Sequence, residues 1–243
     1  MSQKQPKILI GCPTSDGHAH CIQRFLTALK QLTYTNYDVL FADNSIEEKY
    51  AQLIKSYGYE TIRNPSKNKD RIIDIISNRN IIIKRTVEKK YDYLFFVDTD
   101  VLLPPDAIEK LISADQPIVS GVYLGGQKFS NETKIAPVLY ELTANENYLR
   151  SVPLNNVMED LIYEIAASGM GCVLIQREVL EKVKLRYSEK IMSGEDVLFC
   201  HDARKLGYRT FVNTSVRCTH MVSEGDITFP AGVATFSFQY DVE

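Results

Sequence analysis

The chain has 243 residues, enough for one large domain or two small ones, and its 44% hydrophobic and 24% charged content is that of an ordinary globular protein rather than a disordered, collagenous or membrane-embedded chain. With 28 basic against 31 acidic residues the net charge is −3 and the signs are interspersed, which excludes the basic stripe that tracks DNA or RNA. Five cysteines without CxxC spacing fit reduced, buried thiols, and no stretch approaches the roughly 18 apolar residues of a spanning helix, so the chain reads as cytoplasmic, with peripheral attachment at the membrane left open.

Residues 7–13 (Lys7-Ile8-Leu9-Ile10-Gly11-Cys12-Pro13) are a short apolar run stopped by turn residues, which predicts a buried strand ending at a loop. A helix follows over about 21–30, and residues 37–42 give a second strand that ends at Asp43-Asn44-Ser45. Ser45 and Glu48 have capping-box spacing, so a second helix is expected to start there and to run to Tyr57, where Gly58 stops it. Between about 70 and 90 apolar residues recur at Ile72, Ile75, Ile76, Ile82, Ile83, Thr86 and Val87. That 3.6-residue period predicts an amphipathic helix. Residues 93–97 form the next strand, and Pro104-Pro105-Asp106 opens another helix. Strand and helix therefore alternate, the pattern of a mostly parallel sheet covered on both faces.

The second half is less regular. Residues 117–123 and 137–140 read as strands, whereas 125–134 and 143–156 read as loops. A strand over 171–175 runs into a helix at about 177–183, and a helix over 195–206 is stopped by Gly207. No repeat or linker separates these parts, so one domain is expected over 1–243.

Asp98-Thr99-Asp100 stands where an apolar strand runs out. Two residues apart on an extended chain, the carboxylates would share one side, and acids that close repel unless a cation joins them. A hard divalent ion such as Mg²⁺ or Mn²⁺ takes carboxylate oxygens together with substrate phosphates, so the pair has the chemistry of a site for a metal-bound diphosphate. Arg79 falls between Ile75 and Ile76 on one side and Ile82 and Ile83 on the other, and so interrupts the buried stripe of its helix. A guanidinium there requires an anionic partner: the DxD acids, a bound donor, or a structural salt bridge.

A DxD after a hydrophobic strand in an alternating α/β half resembles the GT-A glycosyltransferases, especially the inverting enzymes often called family two. The resemblance implies a single Rossmann-like α/β domain with a mostly parallel central sheet and a smaller antiparallel part in the C-terminal half. Residues up to about 115 would bind the nucleotide sugar, and 116–243 the acceptor. It implies metal-dependent transfer, with Mn²⁺ or Mg²⁺, from a nucleoside-diphosphate sugar (a UDP- or GDP-sugar first of all) to a hydroxyl of a glycan, lipid-linked or small-molecule acceptor.

In that fold the first DxD acid faces the donor ribose or metal and the second ligates the metal, roles that fall to Asp98 and Asp100. Pro13 and Thr14 match the loop along the donor nucleoside, Asp43 the acid that contacts the base, and Arg79-Asn80 the pair on the helix before the DxD strand. Gly169 and Gly171 match the small-residue loop that lets backbone approach the donor sugar and acceptor. His220 stands where many such enzymes bring a C-terminal histidine back to the metal. Ser193-Gly194-Glu195-Asp196 resembles the ED motif that supplies the base: Asp196 would take the acceptor proton as its oxygen attacks opposite the leaving diphosphate, with Glu195 as the fallback.

Other readings stay open at this point. Ser193 and Asp196 also have capping-box spacing, and a helix N-terminus lowers a carboxylate pKa. If they only cap, a retaining GT-A enzyme is the better expectation. A sugar-phosphate nucleotidyltransferase shares the sheet and the metal but usually carries a basic Gly-rich loop after its first strand, and Cys12-Pro13-Thr14-Ser15-Asp16-Gly17 holds no Lys or Arg. A catalytically inactive sugar-nucleotide-binding module would keep the fold, and the intact acids count against it. His18 and His20 read as loop residues.

Overall fold

The apolar runs of the first half become the middle of one large sheet. In the computed structural model, which describes residues 5–66, 70–129, 132–144, 148–188, 194–223, 225–229 and 237–239, strands β1 (Ile8–Thr14), β2 (Tyr37–Asp43), β3 (Glu60–Arg63) and β4 (Tyr93–Val97) run parallel. β1 lies between β2 and β4, with β3 outside β2. Every residue of β1 is buried, as in a strand covered on both faces. β3 was not expected: Glu-Thr-Ile-Arg is a partly buried edge strand with no apolar run to mark it.

The helices between these strands follow their apolar spacing. α1 (Ile22–Leu29) buries Ile22, Phe25, Leu26 and Leu29, one face at i, i+3, i+4 and i+7. α2 (Glu48–Ser56) starts later than Ser45 predicts. The capping box does not form, because Ser45 Oγ donates to Asp43 Oδ1 (2.5 Å) and accepts from the Asp16 N–H, leaving Glu47 at the cap position without a side-chain bond. Gly58 does end the helix, at φ 91°, a left-handed conformation that favours glycine. α3 (Arg71–Glu88) begins at Asp70, whose carboxylate accepts from the Ile72 N–H at 3.0 Å. After the two-residue β5 (Val101–Leu102) comes α4 (Ala107–Ser113).

The second half supplies β6 (Ile118–Val122), β7 (Leu124–Phe129), β8 (Glu132–Pro137), β9 (Leu139–Leu142), β10 (Tyr148–Ser151), β11 (Ile162–Ile165), β12 (Ala167–Ser168) and β13 (Cys172–Gln176). α5 (Arg177–Lys182) and α6 (Glu195–Lys205) follow, then β14 (Thr210–Arg217), β15 (Thr219–Val222), β16 (Gly225–Ile227) and β17 (Ser237–Gln239). Gly207, at φ 89°, closes α6 as expected. The large sheet has the order β11-β14-β6-β13-β4-β1-β2-β3. Six strands run one way; β13 and β11 run against them. Four short strands form a second, antiparallel sheet, β12-β9-β10-β17.

Two expected loops are strands. Within 125–134, residues 125–129 belong to β7 and 132–134 to β8, which pair antiparallel, and 143–156 contains β10. Leu-Gly-Gly-Gln-Lys-Phe has no alternation to announce a strand, so its pairing comes from the partner opposite it. The core holds Phe25, Phe41, Phe95, Phe96 and Phe199 fully buried, and all five cysteines are free and buried. Among the described residues no helix is long and apolar enough to cross a membrane.

Candidate active site

The carboxyl ends of β1, β2 and β4 open onto a cavity of about 400 Å³, where an open α/β sheet takes its ligands. Its wall includes Pro13, Thr14, Asp16, His18, Ser45, Asn78, Arg79, Asp98 and Asp100. Asp98 and Asp100 both reach it, but not by strand alternation. β4 stops at Val97, and the Val101 N–H donates to the Asp98 carbonyl at 2.9 Å, so Asp98-Thr99-Asp100 is a tight turn with Thr99 buried inside it. The turn aims the two acids at different partners.

Asp100 faces imidazoles. β15 pairs antiparallel with β5, His220 opposite Val101, and the Met221 N–H donates to the Asp100 carbonyl at 2.7 Å. That register brings His220 back to the DxD turn. Its Nδ1 donates to the Leu124 carbonyl at 2.8 Å, which leaves Nε2 toward Asp100 Oδ2 at 3.5 Å. Burial works against the imidazolium, but the Asp100 carboxylate outweighs it and raises the His220 pKa above 6.5. Asp100 shows the converse: burial favours its neutral form, yet His220 and His18 hold its pKa below the usual carboxylate value.

A carboxylate oxygen beside an imidazole nitrogen fixed at its far side by a carbonyl is a donor set that suits Mn²⁺. Among the described residues no three His, Cys, Asp or Glu side chains form a complete cage for a metal.

Asp98 faces Arg79. Its Oδ1 accepts from Arg79 Nη2 at 3.0 Å, while Nη1 of the same guanidinium bonds Glu195 Oε1. Arg79 is buried and stacks 5.8 Å from the Phe96 ring centre. The interruption of the α3 stripe is thus a fork that ties the DxD turn to the start of α6. Asp196, next along, accepts from the Val197 N–H at 2.7 Å. Its pKa is not lowered by the helix N-terminus, as expected, but raised to about 7: burial and the Glu195 charge outweigh Arg79 and the backbone N–H bonds. Gly194 fills the N-cap, and a Cβ there would press on the Asp196 carboxylate. Ser193, the other half of the capping-box reading, lies outside the described residues.

Other expected positions fall differently. Asp43 is fully buried behind the cavity wall, where it bonds the Ser45 N–H and hydroxyl and lies 3.7 Å from Arg63 Nε. Ser45, not Asp43, reaches the cavity. At Gly169 and Gly171 a Cβ would run into Tyr123, so the missing side chains make room for that residue. Gly171 still touches the DxD turn, its carbonyl accepting from the Asp98 N–H at 3.2 Å. Asn80 bonds the Leu185 carbonyl and plays no part in the cavity.

Two residues were missed. His18, read as a loop residue, lines the cavity, and Tyr123 sets an edge against the His220 ring with centroids 5.6 Å apart. Both stand just past the carboxyl end of a strand of the large sheet, which is the signal that could have found them.

Fold and site together put the chain among the GT-A glycosyltransferases. The match to a family is more specific: the model of Glycosyl transferase family 2 fits residues 13–184, well over half of the chain, and the chain belongs to that family. Similar solved structures include A197 from STIV, at 19% identity and a TM-score of 0.50, with 94% of this chain and 96% of that one covered. GalNAc-T7 with UDP, GalNAc and Mn²⁺ aligns at 15% identity and a TM-score of 0.64 over 90% of this chain and 44% of its own. S. aureus TarS residues 1–349 in complex with UDP-GlcNAc align at 15% identity and a TM-score of 0.53, covering 86% and 56%. The chain therefore spans about half of GalNAc-T7 and of that TarS fragment, and the likenesses are of fold. A search of curated proteins finds no match.

Proposed function

We propose that the chain transfers a sugar from a nucleoside-diphosphate sugar to an acceptor hydroxyl with inversion, with Mn²⁺ or Mg²⁺ at Asp100 and His220. The observation that carries the reading is the Arg79 fork, which joins an acid of the DxD turn to Glu195, the neighbour of Asp196, in one electrostatic unit. The cavity beside it has room for a nucleotide, and the similar structures that hold UDP or UDP-GlcNAc favour a UDP-sugar as donor.

Pro13, Thr14 and Ser45 line the same cavity and would hold the nucleoside, with Asp43 acting through Ser45. Asp98 is already bound to Arg79, so Asp100 and His220 are the residues free to hold the cation. When bound, a divalent ion supplies charge stabilisation of the departing diphosphate. Arg79 stays protonated through its three acidic neighbours and adds a fixed positive charge at the cavity wall.

Asp196 is the base. A carboxylate with a pKa near 7 is ionised for much of the time at neutral pH and still holds a proton well. Near enough to Tyr123 and Arg79 for their charges to act on one another, it would take the acceptor hydroxyl proton as that oxygen attacks the anomeric carbon. Residues up to about 115 would serve the donor and 116–243 the acceptor, whose identity (glycan, lipid-linked or small molecule) depends on the antiparallel part.

A thermal-shift screen of UDP-, GDP-, CDP- and dTDP-sugars with and without Mn²⁺ tests the donor and metal together, because a ligand of the folded state raises its melting temperature. One base is expected to stabilise the chain in Mn²⁺ and to lose its effect in EDTA or in D100A. No shift with any of the four would end this reading.

A further inference from the structure

A chain of side-chain hydroxyls runs from α2 to the DxD turn. Tyr50 Oη lies 2.9 Å from Thr14 Oγ1, Thr14 Oγ1 2.9 Å from Thr99 Oγ1, and Thr99 Oγ1 2.6 Å from His18 Nδ1. Tyr50, Thr14 and Thr99 are all buried. If the phenol donates first, each hydroxyl passes its own proton onward and the last is accepted at Nδ1. Every member is then satisfied, and the neutral ring carries its proton on Nε2.

That nitrogen stands 3.7 Å from Asp100 Oδ2, the same oxygen that His220 Nε2 approaches to 3.5 Å. The imidazole is held at one nitrogen by the Thr99 hydroxyl, the end of a chain of three buried hydroxyls, with its other nitrogen toward one carboxylate.

We propose that His18 is a positioning residue for Asp100: the Tyr50–Thr14–Thr99 chain fixes its ring, and its Nε2–H steadies the carboxylate in the orientation in which it meets the cation. The inference rests on Asp100 being the cation ligand, as proposed above. A carboxylate on a turn has several rotamers, and holding one in advance removes ordering entropy from the binding step. The middle residue of the DxD acquires a task as well, since the Thr99 hydroxyl is the last link to the ring.

Binding of Mn²⁺, read from loss of the free-ion EPR signal in the presence of mixed UDP, GDP, CDP and dTDP, tests it. Losing a partner that orients a metal ligand costs roughly 10- to 100-fold in affinity, and H18A is expected to fall in that range. The amide nitrogen of Gln falls near Nε2 and that of Asn near Nδ1. H18Q should therefore keep most of the affinity, while H18N behaves as H18A does.

Pulsed EPR should find the same nitrogen coupling to bound Mn²⁺ in the wild type and in H18Q, because the coordinating ring belongs to His220. Wild-type affinity in H18A, rescue by H18N in place of H18Q, or a nitrogen coupling lost in H18Q would each overturn the positioning role and leave the cation site standing. A wild-type chain that takes up no Mn²⁺ would instead remove the cation site, and this inference with it.

Discussion

Asp100 belongs to the DxD turn and Asp196 to the start of α6, and their surroundings push their pKa values in opposite directions. At Asp100 burial is overcome by two imidazoles, and the pKa falls below its ordinary value; at Asp196 burial is reinforced by Glu195, and the pKa rises to about 7. The first is held in its charged form, which suits the cation ligand proposed above. The second is built to exchange a proton near neutrality. Two carboxylates whose neighbours split them in this way suit different chemical roles, and the split supports the roles proposed for them above.

The largest break in that comparison comes from neutralising Asp196. Asn has nearly the shape of Asp and its side-chain oxygen can still accept from the Val197 N–H, so D196N preserves the start of α6 while removing the base. The rate constant for transfer should drop roughly 10²- to 10⁴-fold, with the thermal shift by donor and Mn²⁺ unchanged. If Asp196 only caps, D196N transfers sugar as fast as the wild type. In the wild type the base works ionised, so the rate is present above pH 7 and falls about tenfold per unit as pH drops below it. A profile flat through the acid range would remove the assignment.

Arg79 holds both sides together. R79A leaves Asp98 and Glu195 facing each other with no counter-charge, and breaking such a buried pair costs on the order of 3–5 kcal/mol, measurable by urea unfolding. A loss under about 1 kcal/mol would show that the fork is dispensable, as exposed pairs are. E195Q gives a smaller and subtler effect. Removing the Glu195 charge takes away the second cause of the raised Asp196 pKa and frees Arg79 to lower it further, so the acid limb of the rate profile should move to lower pH. A limb that stays in place would mean burial alone sets the value.

The same asymmetry governs what could be read in the sequence. The Asp98 and Asp100 pair and Arg79 stood out because each breaks an apolar pattern, a strand that ends in acids and a helical stripe with a guanidinium in it, whereas Glu195 and Asp196 were singled out only by their resemblance to a family motif. Helix α3 and strand β4 were legible from those apolar patterns. Tyr123 and His18 break no pattern. They act through contacts across the fold, Tyr123 by filling the space over Gly169 and Gly171, His18 by meeting Thr99 from 81 residues away. The antiparallel strands β7, β8 and β10 were lost because short strands rich in polar residues, or in β7 glycine, are specified by their partners rather than by their own alternation. Nothing in Asp43-Asn44-Ser45 says that the acid is buried behind the wall while the serine lines the cavity.

The smallest expected effect is also the most local. Gly194 sits at φ −63° and ψ 166°, a conformation open to any residue, so G194A carries no backbone penalty. Its methyl would press on Asp196 Oδ1 and turn the carboxylate away from the Val197 N–H. Transfer should slow about tenfold, short of the 10²-fold that a full ångström of misplacement costs, with the melting temperature nearly unchanged. In a D196N background the same substitution has no base left to misplace, and its effect on rate should vanish. Full additivity of the two would show that Gly194 matters for something other than the position of Asp196.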